Sequence, residues 1–121
     1  MNLRAEIIGL YIGKAMKRWE GKGLTAIQKN LCKDRLEIDE NGFVRDQQGN
    51  LKVHGGPEKA IHHYAVDHMD HWKNQYPGQA DQFVSGSFGE NISTRGLTED
   101  NLCLGDILSL GTAKVQICQG R

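Results

Sequence analysis

The chain has 121 residues, which suits one domain, taken here as residues 1–121, with a moderate hydrophobic core. Lys+Arg and Asp+Glu both total 15, so the net charge is zero with neutral histidines; this argues against a nucleic-acid binder held by bulk positive charge, and still permits a local basic pocket for one phosphate. Apolar content of 38% with 15 glycines is too ordered for a disordered tail and too glycine-rich for a helical bundle, so a β-rich domain with many turns is expected.

The first predicted element is a strand in "LRAEIIGLYIG". Leu3, Ala5 and Ile7 alternate with Arg4 and Glu6, then the phase slips and Ile8, Leu10 and Ile12 carry the apolar side. A slip of one in a period of two predicts a bulge or a strand buried on both faces. "KRWEGKGLTAIQKN" follows as a loop with Gly21 and Gly23, leading to a second extended piece. "ENGFVRDQQGN" carries two turn signals, Asn41-Gly42 and Gly49-Asn50.

The segment "VHGGPEKAIHHY" then reads as extended chain, a Gly-Gly turn and a helix beginning at Pro57. Proline suits a first helical turn because its missing N–H would be unpaired there anyway. Ile61, Ala65, His68 and Trp72 share one face with Tyr64 beside them, and "YPG" at Tyr76–Gly78 closes the element. Gly55 and Gly56 allow positive φ and close backbone approach, and a helix N-terminus offers free N–H groups to an anion. His54-Gly55-Gly56 is therefore either a ligand-approach turn or a plain strand-to-helix turn. "FVSGSFGENISTRGLTEDNLCLGD" predicts a loop around a short strand. "DILSL" and "AKVQI" flank Gly111-Thr112 as a hairpin of type II′, with Ala113, Val115 and Ile117 on one face and Lys114, Gln116 and Cys118 on the other.

Several side chains bear on chemistry. On a helix from Pro57, His63, Asp67 and His71 line one edge at i, i+4, i+8, a row able to hold a divalent metal. Without HExxH or paired cysteines, a solvated polar face with a core-facing His68 is the expected role, and no metal site is assigned. Asn91 in "FGENIS" can donate and accept through one amide, which suits either a heterocycle edge or an Asx turn on its own backbone. Lys14, Lys17, Arg18 and Lys22 form a basic cluster beside Trp19, as a solvated surface or a phosphate contact. Cys32, Cys103 and Cys118 are an odd, scattered set with no CxxC, a poor disulfide framework and a poor zinc site. The N-terminus lacks a signal-peptide layout and no apolar run approaches the roughly 20 residues a membrane span needs, so the expectation is a protein of the reduced cytoplasm, without membrane or nucleic-acid partners.

In order and spacing, "VHGGPEKAIHHY", "FGENIST-RGLTEDN" and "LGDILSLGTAKVQICQ" resemble the MOSC domain, named for the C-terminus of molybdenum cofactor sulfurase. The likeness is greatest to bacterial stand-alone members of the YiiM type, and "YIGKAMKRWEGKGLTAI" looks like their first strand and loop. The resemblance implies a β-rich α+β fold, a MOSC-type β-barrel-like domain with one clear helix over about 57–76. It implies binding of the molybdenum cofactor, a pterin with a phosphate and a dithiolene-held metal. It also implies a reductase of N-hydroxylated compounds, such as hydroxylaminopurines and amidoximes, fed by a flavin or iron–sulfur partner. Thr25, His54, Gly55, Gly56, Asn91 and Arg121 are the expected cofactor-binding residues: Gly55 and Gly56 by backbone approach, Asn91 on the ring, Arg121 or Thr25 on the phosphate. The bends at 54–56 and 89–91 are expected to form one anion-accepting hollow.

The family's molybdenum-ligating cysteine belongs to a segment like PRxPC after the last strand. Here the chain reads "CQGR" to Arg121, with Gly120 at the proline position, Arg121 matching the arginine, and Cys118 too early to be the equivalent. Arg45 stands where the family tends to have glycine before an acidic residue, Asp46. A shortened or fragmentary, non-catalytic MOSC module that binds a small anion or a partner chain is the alternative reading. Unpaired strand edges further predict a homo-oligomer with the terminal hairpin at its interface.

Overall fold

The structure is a computed structural model and describes residues 3–49 and 55–120. Ten short strands and one helix run in chain order. They are β1 (Glu6–Ile12), β2 (Met16–Lys17), β3 (Leu24–Thr25), β4 (Asn30–Leu31), β5 (Ile38–Asp39), β6 (Gly42–Phe43), β7 (His63–Ala65), α1 (Val66–Gln75), β8 (Ile92–Arg95), β9 (Ile107–Leu110) and β10 (Ala113–Gln116). The main sheet has the order β4-β1-β8-β7, and β2–β3, β5–β6 and β9–β10 are separate antiparallel pairs. The fold is β-rich with a single main helix, as expected, and the sheet stays open among the described residues.

The slip in the first strand is a bulge. Ile7 pairs with Thr94 and Gly9 with Ser93, which leaves Ile8 without an opposite residue. The buried side after the bulge carries Gly9 and Tyr11, whereas Ile8 is exposed and Leu10 and Ile12 are half-buried. Tyr11 explains the exchange. Its ring lies across Gly9, where an added Cβ would meet the hydroxyl at 2.6 Å, and against Gly86, where it would meet Cε1 at 2.6 Å. The Tyr11 hydroxyl donates to Ser85 Oγ at 2.8 Å.

The helix begins later than its sequence suggests. Pro57–Lys59 forms only a three-residue 3-10 turn, and α1 starts at Val66. Between them β7 runs parallel to β8, pairing His63, Tyr64 and Ala65 with Ile92, Ser93 and Thr94. The main chain of Asn91 and Ile92 both donate to His62 O, at 2.7 and 3.1 Å, so sheet pairing overrides a weak helical preference. The predicted face therefore splits. His68 and Trp72 lie on the helix, while Tyr64 reaches them from β7, its ring 5.3 Å from that of His68 and its hydroxyl accepting from Trp72 Nε1 at 2.9 Å. Tyr76 ends α1 by donating to Trp72 O at 2.8 Å, and Pro77 follows. In the β9–β10 hairpin Leu110 pairs with Ala113 across Gly111-Thr112, with only Gly111 at positive φ (59°), which suits type II′.

Candidate functional site

A buried polar network centres on Asp46, which precedes the Gly-Gly turn in the chain. Asp46 follows β6, and its main-chain N–H donates to Phe43 O at 2.9 Å. Its Oδ1 accepts from the Gly13 main chain and from Lys29 Nζ, both at 2.8 Å; its Oδ2 accepts from Asn91 Nδ2 at 2.9 Å. Asn91 Nδ2 also donates to Tyr11 O at 3.1 Å, and its Oδ1 accepts from the His62 main chain at 3.0 Å. Lys29 Nζ completes the group by donating to Gln47 O at 3.1 Å. The side chains of Lys29 and Asp46 are 6% and 1% exposed, so this is a buried ion pair whose remaining valences are met by hydrogen bonds.

This network fastens both ends of the span that carries Gly55 and Gly56. Asp46 and Gln47 hold it upstream, and His62 holds it downstream. Gly49 adds a close approach: a Cβ there would sit 2.4 Å from Leu24 O and 2.6 Å from Thr25 Cα. Gly55 and Gly56 both have positive φ, 97° and 78°. Among the described residues a Cβ on Gly56 would meet nothing within 4 Å, so its glycine serves the backbone angle. Thr25 is half-buried in β3, and its hydroxyl oxygen accepts from the Ile27 main chain at 3.3 Å. His54 and Arg121 lie outside the described residues.

Two expectations change. The Gly-Gly turn opens a single 3-10 turn, not an α-helix, so no helix macrodipole stands behind it. Asn91 makes neither an Asx turn on its own backbone nor an open contact. Both donor valences of its amide are spent inside the protein. The 89–91 bend is bonded to His62, six residues after Gly56 in the chain. Sequence reading passed over Lys29 altogether, and noted Asp46 only for its position in the family pattern.

The neighbouring Glu90 is fully buried, with Oε1 accepting from the Phe88 main chain at 3.1 Å and Oε2 without a partner among the described residues. Burial is the dominant influence and pushes this carboxyl above the usual glutamate range, against the pull of the main-chain N–H groups of Phe88, Glu90 and Gly86. Tyr64, Phe83 and Phe88 pack around the same loop, with Tyr64 and Phe88 rings 4.9 Å apart.

The expected histidine row does not form, because His63 belongs to β7. Its Nε2 shares a 2.6 Å hydrogen bond with Thr94 Oγ1. Burial chiefly holds this imidazole below its usual value, with Glu99 pulling it up and His68 pushing it further down. Asp67 instead accepts from the Gly96 main chain at 3.0 Å, and His68 Nε2 meets Glu99 Oε2 at 2.8 Å. Among the described residues no three of His, Cys, Asp and Glu cluster as metal ligands. The basic cluster is exposed, with the Arg18 guanidinium 5.1 Å from the Trp19 ring centre.

Comparison with known proteins identifies the family. The family model described as "MOSC domain" matches residues 50–121. The chain belongs to the MOSC domain family. It is 43% identical to protein YiiM of Escherichia coli over 114 residues, 94% of this chain and 50% of that protein. It is 34% identical to the uncharacterized protein YflK of Bacillus subtilis, over 98% of this chain and 53% of that one. A protein of Gibberella moniliformis named "Reductase" is 41% identical over 91 residues, 75% of this chain and 16% of that protein. The crystal structure of YiiM from Escherichia coli superposes with a TM-score of 0.70 at 32% identity, covering 95% of this chain and 45% of that one. YiiM from Geobacillus stearothermophilus gives 0.68 at 34%, covering 93% and 49%. This MOSC chain thus spans about half the length of the curated YiiM-type relatives it matches. No helix among its described residues is long and apolar enough to cross a membrane.

Proposed function

We propose that this MOSC chain binds the molybdenum cofactor in the reduced cytoplasm and serves the reduction of N-hydroxylated compounds, hydroxylaminopurines or amidoximes, to amines. The single observation that carries the reading is the 43% identity to YiiM across 94% of the chain. The relative named as a reductase agrees with it. The reaction consumes two electrons and two protons per N–OH and releases the amine and water, so an electron-donating flavin or iron–sulfur protein is the partner.

The described residues fit the phosphate end of the cofactor and not the ring contact assigned to Asn91. Among the described residues nothing lies within 4 Å of a Cβ on Gly56, and the Thr25 hydroxyl accepts one hydrogen bond and has its own proton to donate. Those groups, with His54 and Arg121, would hold the phosphate and pterin. Asn91 acts instead as a positioning residue, tying Tyr11, Asp46 and His62 together. When bound, the cofactor supplies the redox chemistry, and the protein supplies orientation and electrostatics. No residue of this sequence is assigned as the metal ligand.

A non-catalytic MOSC module that binds a small anion or a partner chain is the second reading, favoured by the internal commitment of the Asn91 amide. The deciding assay supplies the purified chain, from cells that make the cofactor, with a reduced flavoprotein and a hydroxylaminopurine. Formation of the amine, lost in Gly56→Ala, supports the first reading. Absence of the amine beside retained binding of inorganic phosphate supports the second.

A further inference from the structure

Residues 14–24 concentrate positive charge that the rest of the chain cancels. The stretch holds Lys14, Lys17, Arg18 and Lys22 and one carboxylate, Glu20, although the chain as a whole is neutral. Strands β2 and β3 shape it into a hairpin, with Met16 opposite Thr25 and Lys17 opposite Leu24. All four cations are exposed, and among the described residues none of them is paired with a carboxylate. Lys29, Arg45 and Arg95, by contrast, each have an acidic partner.

The same hairpin exposes Met16, Trp19 and Leu24, at 49%, 50% and 58%. The Arg18 guanidinium stands 5.1 Å from the Trp19 ring centre, a cation–π pair held at the surface. Aromatic, methionine and arginine side chains are the ones that protein interfaces concentrate, and tryptophan and arginine most often carry the binding energy. Lysines around such a centre select by sign: they attract an acidic face and repel a basic one. A nucleic acid is matched less well, because a chain of zero net charge offers no long cationic stripe for a phosphate backbone.

The hairpin is tied to the segment that precedes the Gly-Gly turn. The Ala15 main chain donates to Gln47 Oε1 at 2.7 Å, and the Gly49 backbone lies against Leu24 and Thr25. Thr25, in β3 itself, is one of the residues proposed for the phosphate end of the cofactor. Electron transfer weakens steeply with distance, so a donor must dock beside the cofactor, and this hairpin borders that position.

We propose that the β2–β3 hairpin is the docking surface for an acidic face of the electron-donating protein. Met16, Arg18 and Trp19 form the centre of the contact, and Lys14, Lys17 and Lys22 steer the donor's carboxylates towards it. The identity of the partner rests on the reductase reading; the surface itself is tested without the cofactor.

The test titrates the 121-residue chain with two acidic electron carriers, a flavodoxin and a [2Fe–2S] ferredoxin, in a calorimeter. The expected result is one-to-one binding of at least one carrier, weakened about tenfold between about 0.05 and 0.2 M salt. Lys17→Glu combined with Arg18→Glu weakens it at least about tenfold, as does Trp19→Ala. Lys33→Glu combined with Lys114→Glu makes the same charge change on exposed lysines outside the hairpin and leaves affinity within about twofold. Amide exchange checks that each variant retains the β1–β8 pairing. In the cofactor-loaded chain the Lys17/Arg18 variant loses amine formation driven by the carrier and keeps that driven by dithionite. Binding of neither carrier, equal weakening in the Lys33/Lys114 variant, or tighter binding of a short RNA or of phosphatidylserine vesicles overturns the proposal. So does loss of the dithionite-driven reaction in the Lys17/Arg18 variant, because those cations then hold the cofactor. A parent chain that forms no amine even with dithionite refutes the reductase reading alone, and the carrier titrations still decide the surface.

Discussion

Lys29 Nζ lies 2.8 Å from Asp46 Oδ1, with both side chains withdrawn from solvent, and Asp46 lies in the chain between β6 and the Gly-Gly turn. The carboxylate also holds Gly13 and Asn91, so one side chain joins β1, the segment after β3, the segment after β6 and the approach to β8. Removing one partner of such a pair leaves an uncompensated buried charge. Asp46→Ala is expected to lower unfolding free energy by about 3–5 kcal/mol. Adding Lys29→Met to it recovers part of that loss. Urea unfolding of the single and double variants checks both statements.

Asn91 gives a second test of the same network. Asn91→Ala strands the His62 N–H and Tyr11 O, at about 1–3 kcal/mol for each group left unpaired. Asn91→Asp instead sets a second carboxylate beside Asp46, where the amide now sits at 2.9 Å. Like charges so placed raise a carboxyl pKa, so the variant is most stable in acid and loses stability as pH rises through that raised value. Thermal unfolding across pH distinguishes the two substitutions.

Much of the scaffold was legible in the residues themselves. The phase slip around Ile8 announced the bulge, Asn41-Gly42 the β5–β6 turn, and Gly111-Thr112 the last hairpin. The start of the helix was not, because "AIHHYA" fits a helical period, and only pairing with β8 makes it extended. The site was harder to read. A carboxylate after a turn and a lysine seventeen residues away carry no local pattern that says they meet in the interior. The same holds for Asn91, whose partners lie 29, 45 and 80 residues away. His54 and Arg121 remain expectations drawn from the family.

Glu90 and His63 set opposing pH dependences. The Glu90 carboxyl is raised by burial, so its contribution is fully present below the ordinary value of 4.5 and is lost as pH rises through the folded value. His63 is lowered by burial, so its contribution is present above 6.5 and is lost as pH falls through its folded value. Glu90→Gln is expected to remove the loss on the alkaline side and leave the acid-side loss in place. Chemical denaturation from pH 4 to 8 reads both slopes, and an unchanged profile in Glu90→Gln would refute the assignment.

Glycine substitutions separate packing from function. Gly86→Ala combines φ of 90° with a Cβ 2.6 Å from the Tyr11 ring, whereas Gly56→Ala has φ of 78° and no neighbour within 4 Å among the described residues. Gly56→Ala is expected to cost about 1–2 kcal/mol from backbone strain alone, and Gly86→Ala more than that. Differential scanning calorimetry should rank the melting temperatures in that order.

The most direct measurement is the molybdenum content of the full 121-residue chain, purified after expression with the cofactor supplied, beside its Gly56→Ala variant. The account predicts stoichiometric molybdenum in the parent chain and a large loss in the variant. A folded parent chain that carries no molybdenum would contradict it.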